Sequence, residues 1–526
     1  GRAMLMSVRA GEACSCVIPK SRGWMMMKRT LVWGMMGVLS AGSQAAEWLP
    51  ASADKLPRWH GFNLLNKFQM QWNNTPFAEE DFQQIAELGF NFVRLPMDYR
   101  TWIVDGDWRR LDEKVLKEID QAVAWGEKYG IHVCINFHRA PGYTVAKPAE
   151  KTDLWTDAET QEVCGLHWTA FARRYRGIPN ERLSFNLFNE PSDVSGDAYF
   201  RVAKLMVEAI HREDPERLII ADGVQWGSRP CPELYALGIA QATRGYAPSY
   251  ISHYKASWAG SWDGVPPPTW PRPLAVGWLA GDNKKELRRS LVIEGPFSSD
   301  TVFRFRVAVV SDKAHLVVDA DETIVFDHHF VSGPGEGEWR EVVHRPQWNM
   351  YQNVYDRDYE ATVPAGTQRL AMTVHEGDWM TCSEIGLRPQ GALDEVSMAL
   401  MTDYGKAAEP IRYRPDRPEQ PLEATHCEDR DWLWREQIEP WQAAQRGGVG
   451  VMVGEFGAFQ HTPHDVVLRW MEDCLANWQR AGWGWALWNF HGGFGILDSG
   501  RQDVVYEDFH GHKLDRKMLD LLLKYR

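Results

Sequence analysis

The sequence predicts an α/β chain: a (β/α)8 TIM barrel interrupted after its sixth strand by an all-β sandwich, jelly-roll-like in pattern. Three observations carry this. From Trp59 to Tyr254, short runs rich in Val, Ile, Leu and Phe alternate with helical periods. Between Leu274 and Pro389 the pattern becomes period-two alternation punctuated by Gly and Pro. The first rhythm then resumes and runs to Arg526. Strands that are apolar throughout read as parallel strands buried on both faces. Their regular alternation with helices argues a parallel sheet with helical crossovers. Six such strands before the interruption and two after it make the eight units a barrel needs.

Taken in order, residues 1–24 read as an upstream extension outside the fold. Residues 25–46 read as a signal peptide, with a charged start at Lys28-Arg29, a short apolar run Leu31–Leu39 and a small-x-small site at Ser43-Gln44-Ala45. A secreted or periplasmic location is therefore expected. The first barrel segment is 47–273, with strands at Trp59–Asn63, Phe90–Leu95, Ile131–His138, Leu183–Asn189, Leu218–Asp222 and Ser249–Tyr254. Helical periods occupy 82–88, 115–124, 157–175 and 197–212. A loop rich in Pro and Trp, 258–273, leads into the inserted sandwich at 274–389. Its strands are expected at Val302–Val309, His315–Val318, Thr323–Phe326, Glu338–His344 and Arg369–His375. The second barrel segment, 390–526, supplies helices at 430–446, 465–480 and 513–525 and strands at Val449–Phe456 and Trp483–Phe490.

Composition narrows the function. A net charge of −13 over 526 residues lacks the bulk basic footprint of a nucleic-acid binder. No apolar run is long enough for a membrane helix. Six cysteines after residue 46 are scattered without a C-x-x-C pair, which argues against a zinc ribbon or redox motif. Cys134, inside an apolar strand, reads as a buried thiol. The 26 Trp residues stand out, because indole faces make stacking platforms for sugars as well as cores.

In barrels of this kind function sits at the C-terminal ends of the strands. Those ends carry Arg94, His138, Asn189-Glu190-Pro191, His253-Tyr254, Glu455 and Trp488. Two carboxylates at one barrel mouth suit glycoside hydrolysis, in which one protonates the leaving oxygen and the other attacks the anomeric carbon. Strands four and seven lie across the barrel, so Glu190 and Glu455 are the expected pair, at the short spacing that retention requires. Glu455 must be ionised to attack, and a nearby arginine favours that form. Glu190 must hold a proton, which burial and repulsion from Glu455 promote. The chemistry needs no metal or other cofactor. Trp226, Trp258 and Trp262 are further candidates for substrate contact, the last two on a loop with no core pattern.

The segments "LSFNLFNEP", "VMVGEFGAF" and "GWALWNF" together resemble glycoside hydrolase family 5, the cellulase family A of clan A. The resemblance implies Glu190 as acid/base, Glu455 as nucleophile and Asn189 as partner of the sugar 2-hydroxyl. It implies Arg94 and His138 as supports of the carboxylates, and Trp488 as the floor at the scissile bond. The family usually shows His-x-Tyr at the end of strand six. Here His253-Tyr254-Lys255 puts the tyrosine one place early, so either a bulge re-aims Tyr254 or Lys255 takes its position. The tail "NFHGGFGILDSGR" resembles members acting on β-glucans. The expected activity is a retaining endo-β-1,4-glucanase on polysaccharide or oligosaccharide, acting as a monomer without nucleic-acid or membrane partners. Another β-glycanase (mannanase, xyloglucanase or exo-β-glucanase) is the alternative, and a non-catalytic carbohydrate-binding protein the more distant one. The inserted domain leaves the barrel after strand six, on the active face, where it is expected to bind sugar or extend the cleft.

Overall fold

The computed structural model describes residues 48–260, 262 and 265–526. The extension at 1–24 and the signal segment at 25–46 lie outside the described residues. The chain forms two compact units: Pro271–Glu428, and a second built from the residues up to Trp270 together with Asp429–Arg526.

The second unit is a closed barrel of eight parallel strands: His60–Asn63, Phe92–Asp98, His132–Arg139, Leu183–Asn186, Ile219–Asp222, Ala240–Gly245, Val451–Phe456 and Trp485–Leu487. The first and eighth strands pair in parallel and close it, with Gly61 opposite Ala486. The expected helices form, and several begin on side-chain caps. Asp112 accepts from the Lys114 backbone N–H, Asp157 from Thr160 and Ser195 from Ala198. Each helix lays an apolar stripe on the barrel, as Leu116, Ile119 and Val123 do from Glu113–Tyr129.

Strand six departs from expectation. It is Ala240–Gly245, and Ser249–Ser252 is instead a short helix. The strand reads Ala-Gln-Ala-Thr-Arg-Gly, with none of the Val, Ile, Leu or aromatic residues that announce a buried parallel strand. All six of its residues are nonetheless buried. Its polar members find partners: Gln241 exchanges two hydrogen bonds with the Cys231 backbone, at 3.0 and 2.9 Å. Only two short pieces, Val224–Gly227 and the 3-10 turn Pro232–Leu237, lie between it and strand five, so no helical period marks its approach.

The other unit is antiparallel β structure around its own apolar core, which includes Phe303, Phe305, Leu316, Val318 and Ile385. Two long strands, Thr301–Ala320 and Arg369–Pro389, pair along their length and bend at register shifts near Ser311–Ala314. Two expected strands, Val302–Val309 and His315–Val318, are thus halves of one. Glu338–His344 is almost wholly irregular, and the neighbouring strand is Met350–Val363, whose many polar residues hid it. The unit also ends later than expected. Strands Val396–Ala399, Ile411–Tyr413 and Leu422–Ala424 join its sheet, so the boundary lies at Glu428 rather than 389. Strands of three or four residues are too short for alternation to reveal. Arg272–Pro273 pairs with Cys427–Glu428, which brings the entry and exit of the insertion side by side.

Trp348 is 60% exposed. Cys134 is buried on the third barrel strand, as its pattern implied.

Candidate active site

The strand ends bring together one buried network of charge. Arg94, on the second strand, is 1% exposed. Its guanidinium donates to Glu455 Oε1 at 2.5 Å, Asn189 Oδ1 at 3.0 Å, Asn186 Oδ1 at 2.9 Å and Asn63 Oδ1 at 3.0 Å. Asn63 is itself fixed, donating to the backbone carbonyls of Gly454 and Leu487 on strands seven and eight. The second strand therefore aims Arg94 at the nucleophile candidate from four anchored contacts.

A second guanidinium, Arg244 on strand six, was not anticipated. It donates from Nε to Glu190 Oε1 at 2.9 Å and from Nη2 to Asn189 Oδ1 at 3.0 Å. Its Nη2 also lies 3.3 Å from Glu455 Oε1 and bonds the fully buried Asp222. One side chain thus holds both candidate carboxylates. Asp222, at the end of strand five, accepts the Glu190 backbone N–H at 2.9 Å and the Asn186 side-chain amide at 3.0 Å. A sequence signal for Arg244 existed in Arg-Gly-Tyr at a strand end, but it required strand six in its true place.

Two arginines face Asp222, Glu455 and Glu190. Burial and the charge of Glu455 push Glu190 up to about 7, against an opposing pull from Arg244. The Glu190 backbone sits at φ 50°, a left-handed conformation uncommon for a residue with a side chain. It is held there by Tyr143, whose hydroxyl donates to the Glu190 carbonyl at 2.7 Å, and by Asp222 on its N–H. Strain of this kind persists where the surroundings over-determine it.

Tyr246, two residues beyond Arg244, donates to Glu455 Oε2 at 3.1 Å. This corrects the expectation for Tyr254 and Lys255. Tyr254 is buried and donates to the Val265 carbonyl at 3.3 Å, away from the carboxylates. His253 does approach the site: its ring meets Tyr246 edge-on at 5.0 Å and its Nδ1 pairs with Ser252 Oγ at 2.8 Å. Burial lowers its basicity, against the attraction of Glu455. His138 is held well below the ordinary histidine range, first by burial and then by Arg94 and Arg244, so it is neutral. Its ring lies 5.6 Å from Trp488 and 4.5 Å from Phe68. Two buried polar atoms point into this network without a hydrogen-bond partner among the described residues, Asn189 Nδ2 and His138 Nδ1. Such groups ask for a ligand or a solvent molecule.

A cavity of about 470 Å³ opens beside Glu190, lined also by Trp226, Arg229, Arg244, Tyr246, His253 and Gln437. Trp226 is 55% exposed, and it and Gln225 both adopt positive φ, 58° and 52°. The Trp226 backbone N–H donates to the Pro191 carbonyl at 3.2 Å, which ties this residue's main chain to the Glu190 segment. Trp258 is exposed and leans on Phe459 edge-on at 4.9 Å. Trp262 is tied down instead, donating to the Ala256 carbonyl at 3.0 Å and packing on Tyr254.

Residues 52–243 match the family model described as Cellulase (glycosyl hydrolase family 5). Endoglucanase C of Acetivibrio thermocellus is 29% identical over 200 residues, 37% of this chain and 57% of that protein. Cellodextrinase A of Ruminococcus flavefaciens is 28% identical over 189 residues, 34% of this chain and 54% of its own length. The chain thus spans just over half the length of these curated relatives. A crystal structure described as that of a glycoside hydrolase is 27% identical, with a TM-score of 0.58, and covers 89% of this chain and 99% of its own. The family match over 52–243, the closed barrel and the residues at its strand ends agree in making this chain similar to glycoside hydrolase family 5.

Proposed function

We propose that the protein is a retaining β-glucanase, best read as an endo-β-1,4-glucanase, working by double displacement with Glu190 as acid/base and Glu455 as nucleophile. The observation that carries this reading is the shared guanidinium: Arg244 bonds Glu190, whose pKa is pushed up to about 7, and lies against Glu455. Carboxyls that share one arginine suit the roughly 5–5.5 Å spacing of retaining enzymes better than the roughly 6.5–9.5 Å of inverting ones.

The steps follow from the network. Glu455, held by Arg94 on one oxygen and Tyr246 on the other, attacks the anomeric carbon while Glu190 gives its proton to the leaving oxygen. Once Glu455 is esterified its negative charge is gone. A major cause of the high Glu190 value disappears, and Arg244 then favours the ionised form. Glu190 becomes the base that activates water, and the acid is restored when Glu455 is released. The unpartnered Asn189 Nδ2 is placed to donate to a sugar hydroxyl beside Glu455. Trp226, which lines the cavity beside Glu190, and Trp488, which packs by His138, are the indoles proposed to contact the sugar.

The endoglucanase and cellodextrinase names of its relatives support a β-1,4-glucan as substrate. Another β-glycanase on the same machinery is the second reading, favoured by the match to a protein named as a probable glucan 1,3-beta-glucosidase. Export through the segment at 25–46 would bring such an enzyme to its polymer. Proton NMR of the first product released from cello-oligosaccharide tests the mechanism. The β-anomer is expected, and an initial α-anomer would overturn the nucleophile role of Glu455. Reducing-sugar release from cellulose derivatives, mannan, xyloglucan and β-1,3-glucan tests the substrate.

A further inference from the structure

We propose that His491, Asp498 and His512 form a divalent metal site, best matched to zinc, that fastens the loop following the eighth barrel strand. His491 and Asp498 lie within that loop, and His512 lies on the small hairpin Glu507–Phe509 and His512–Leu514. Asp498 Oδ2 is 2.7 Å from His512 Nδ1 and 3.5 Å from His491 Nδ1. The three ligand atoms lie within 4.8 Å of one another. Two imidazoles and one carboxylate are a donor set that zinc accepts, with the fourth position left to solvent.

The arrangement around these atoms is oriented for the purpose. His491 Nε2 is 2.9 Å from Asp81 Oδ1, which places its proton on Nε2 and turns the Nδ1 lone pair towards the other two ligands. A carboxylate behind a histidine ligand is the usual second layer of such sites. Asp498 is divided in the same way. Its Oδ1 accepts the Lys513 backbone N–H at 2.9 Å, its own N–H donates to the Lys513 carbonyl at 2.9 Å, and Oδ2 is left for the histidines. The loop so fastened carries Phe494, whose ring lies 6.4 Å from Tyr246 and 6.1 Å from His253. A bound ion would therefore steady the wall behind the group that holds Glu455. The role is structural, and no step of hydrolysis runs through the metal.

The test uses the full chain after chelator treatment and dialysis, titrated calorimetrically with zinc chloride near neutral pH. One equivalent is expected, with a rise in melting temperature of several degrees. His512→Gln should lower the affinity at least tenfold. A second cluster in the β-unit, His315, Asp327 and His329, has similarly close ligand atoms and supplies the control, because His329→Gln should leave this binding unchanged. Cobalt chloride added to the unmutated chain gives a readout independent of any variant: strong visible absorption reports a low-coordinate nitrogen and oxygen site. Absence of stoichiometric zinc binding, retention of full affinity in His512→Gln, or its loss in His329→Gln would each overturn the proposal.

Discussion

Strands four and six of the barrel meet at the same carboxyl group but declare themselves differently in the sequence. Strand four runs through apolar residues into Asn189-Glu190-Pro191, where Glu190 stands out as chemistry. Strand six contributes as many contacts to the site, through Arg244 to Glu190, Asn189, Asp222 and Glu455 and through Tyr246 to Glu455. Yet it looks like a polar loop. The contrast teaches that a strand can owe its place to the charge it carries as much as to apolar surface. Burying Arg244 is tolerable because Asp222 and two glutamates surround it, and the same partners make it useful.

The largest test compares the reacting groups with the group that holds them. Glu455→Gln and Glu190→Gln should each lower turnover on a polymeric glucan by about a hundredfold to ten-thousandfold or more, with unchanged circular dichroism. A near-normal rate in either would break the assignment. Arg244→Met should cost about a hundredfold in kcat, comparable to removing one pre-organised donor. It should also move the basic limb of the pH–rate profile upwards, because the pull of Arg244 on Glu190 is gone. Leaving Asp222 buried without its partner should destabilise the fold by about 3–5 kcal/mol, and adding Asp222→Asn should recover part of that loss. An unshifted pH profile would reduce Arg244 to a structural ion pair.

The next contrast lies between two tyrosines. Tyr246→Phe should lower kcat about ten- to a hundredfold, since a hydrogen bond to a charged group is worth roughly 1.5–3 kcal/mol. Tyr254→Phe should change it less than about twofold, its hydroxyl reaching only a carbonyl at 3.3 Å. Equal effects would undo the placement of strand six.

A smaller effect appears in stability. The folded state raises Glu190 from 4.5 to about 7, so between those values native protein keeps a proton that the unfolded chain has lost. Stability due to this group is complete below pH 4.5 and falls as pH rises to about 7, by up to roughly 3 kcal/mol. Glu190→Gln should lack that decline, so thermal melts at pH 5 and pH 8 should show the variant gaining on the parent by a few degrees at the higher value.

The barrel and the two glutamates were legible because they rest on local signals. Eight strand positions, seven of them correct, follow from hydrophobic runs and helical periods that short-range burial imposes on a parallel sheet. Glu190, Glu455, Asn189, His138 and Trp488 sit at or just beyond strand ends and Arg94 within strand two, so finding the strands pointed to them as candidates. Strand six, Tyr246 and the late end of the β-unit at Glu428 were not legible, because short or polar strands take their form from neighbours distant in the sequence. Trp226 was nominated only as an aromatic residue, and its position beside Glu190 depends on two consecutive left-handed residues and a bond to Pro191. By itself the sequence determined which residue types were available to the reaction and the rhythm that turns them inward at one end of a barrel. The tertiary structure alone decided how they are charged and held. The protonation of Glu190, the sharing of Arg244 and the choice of Tyr246 over Tyr254 are products of burial and of contacts across the barrel, which no spacing along the chain encodes.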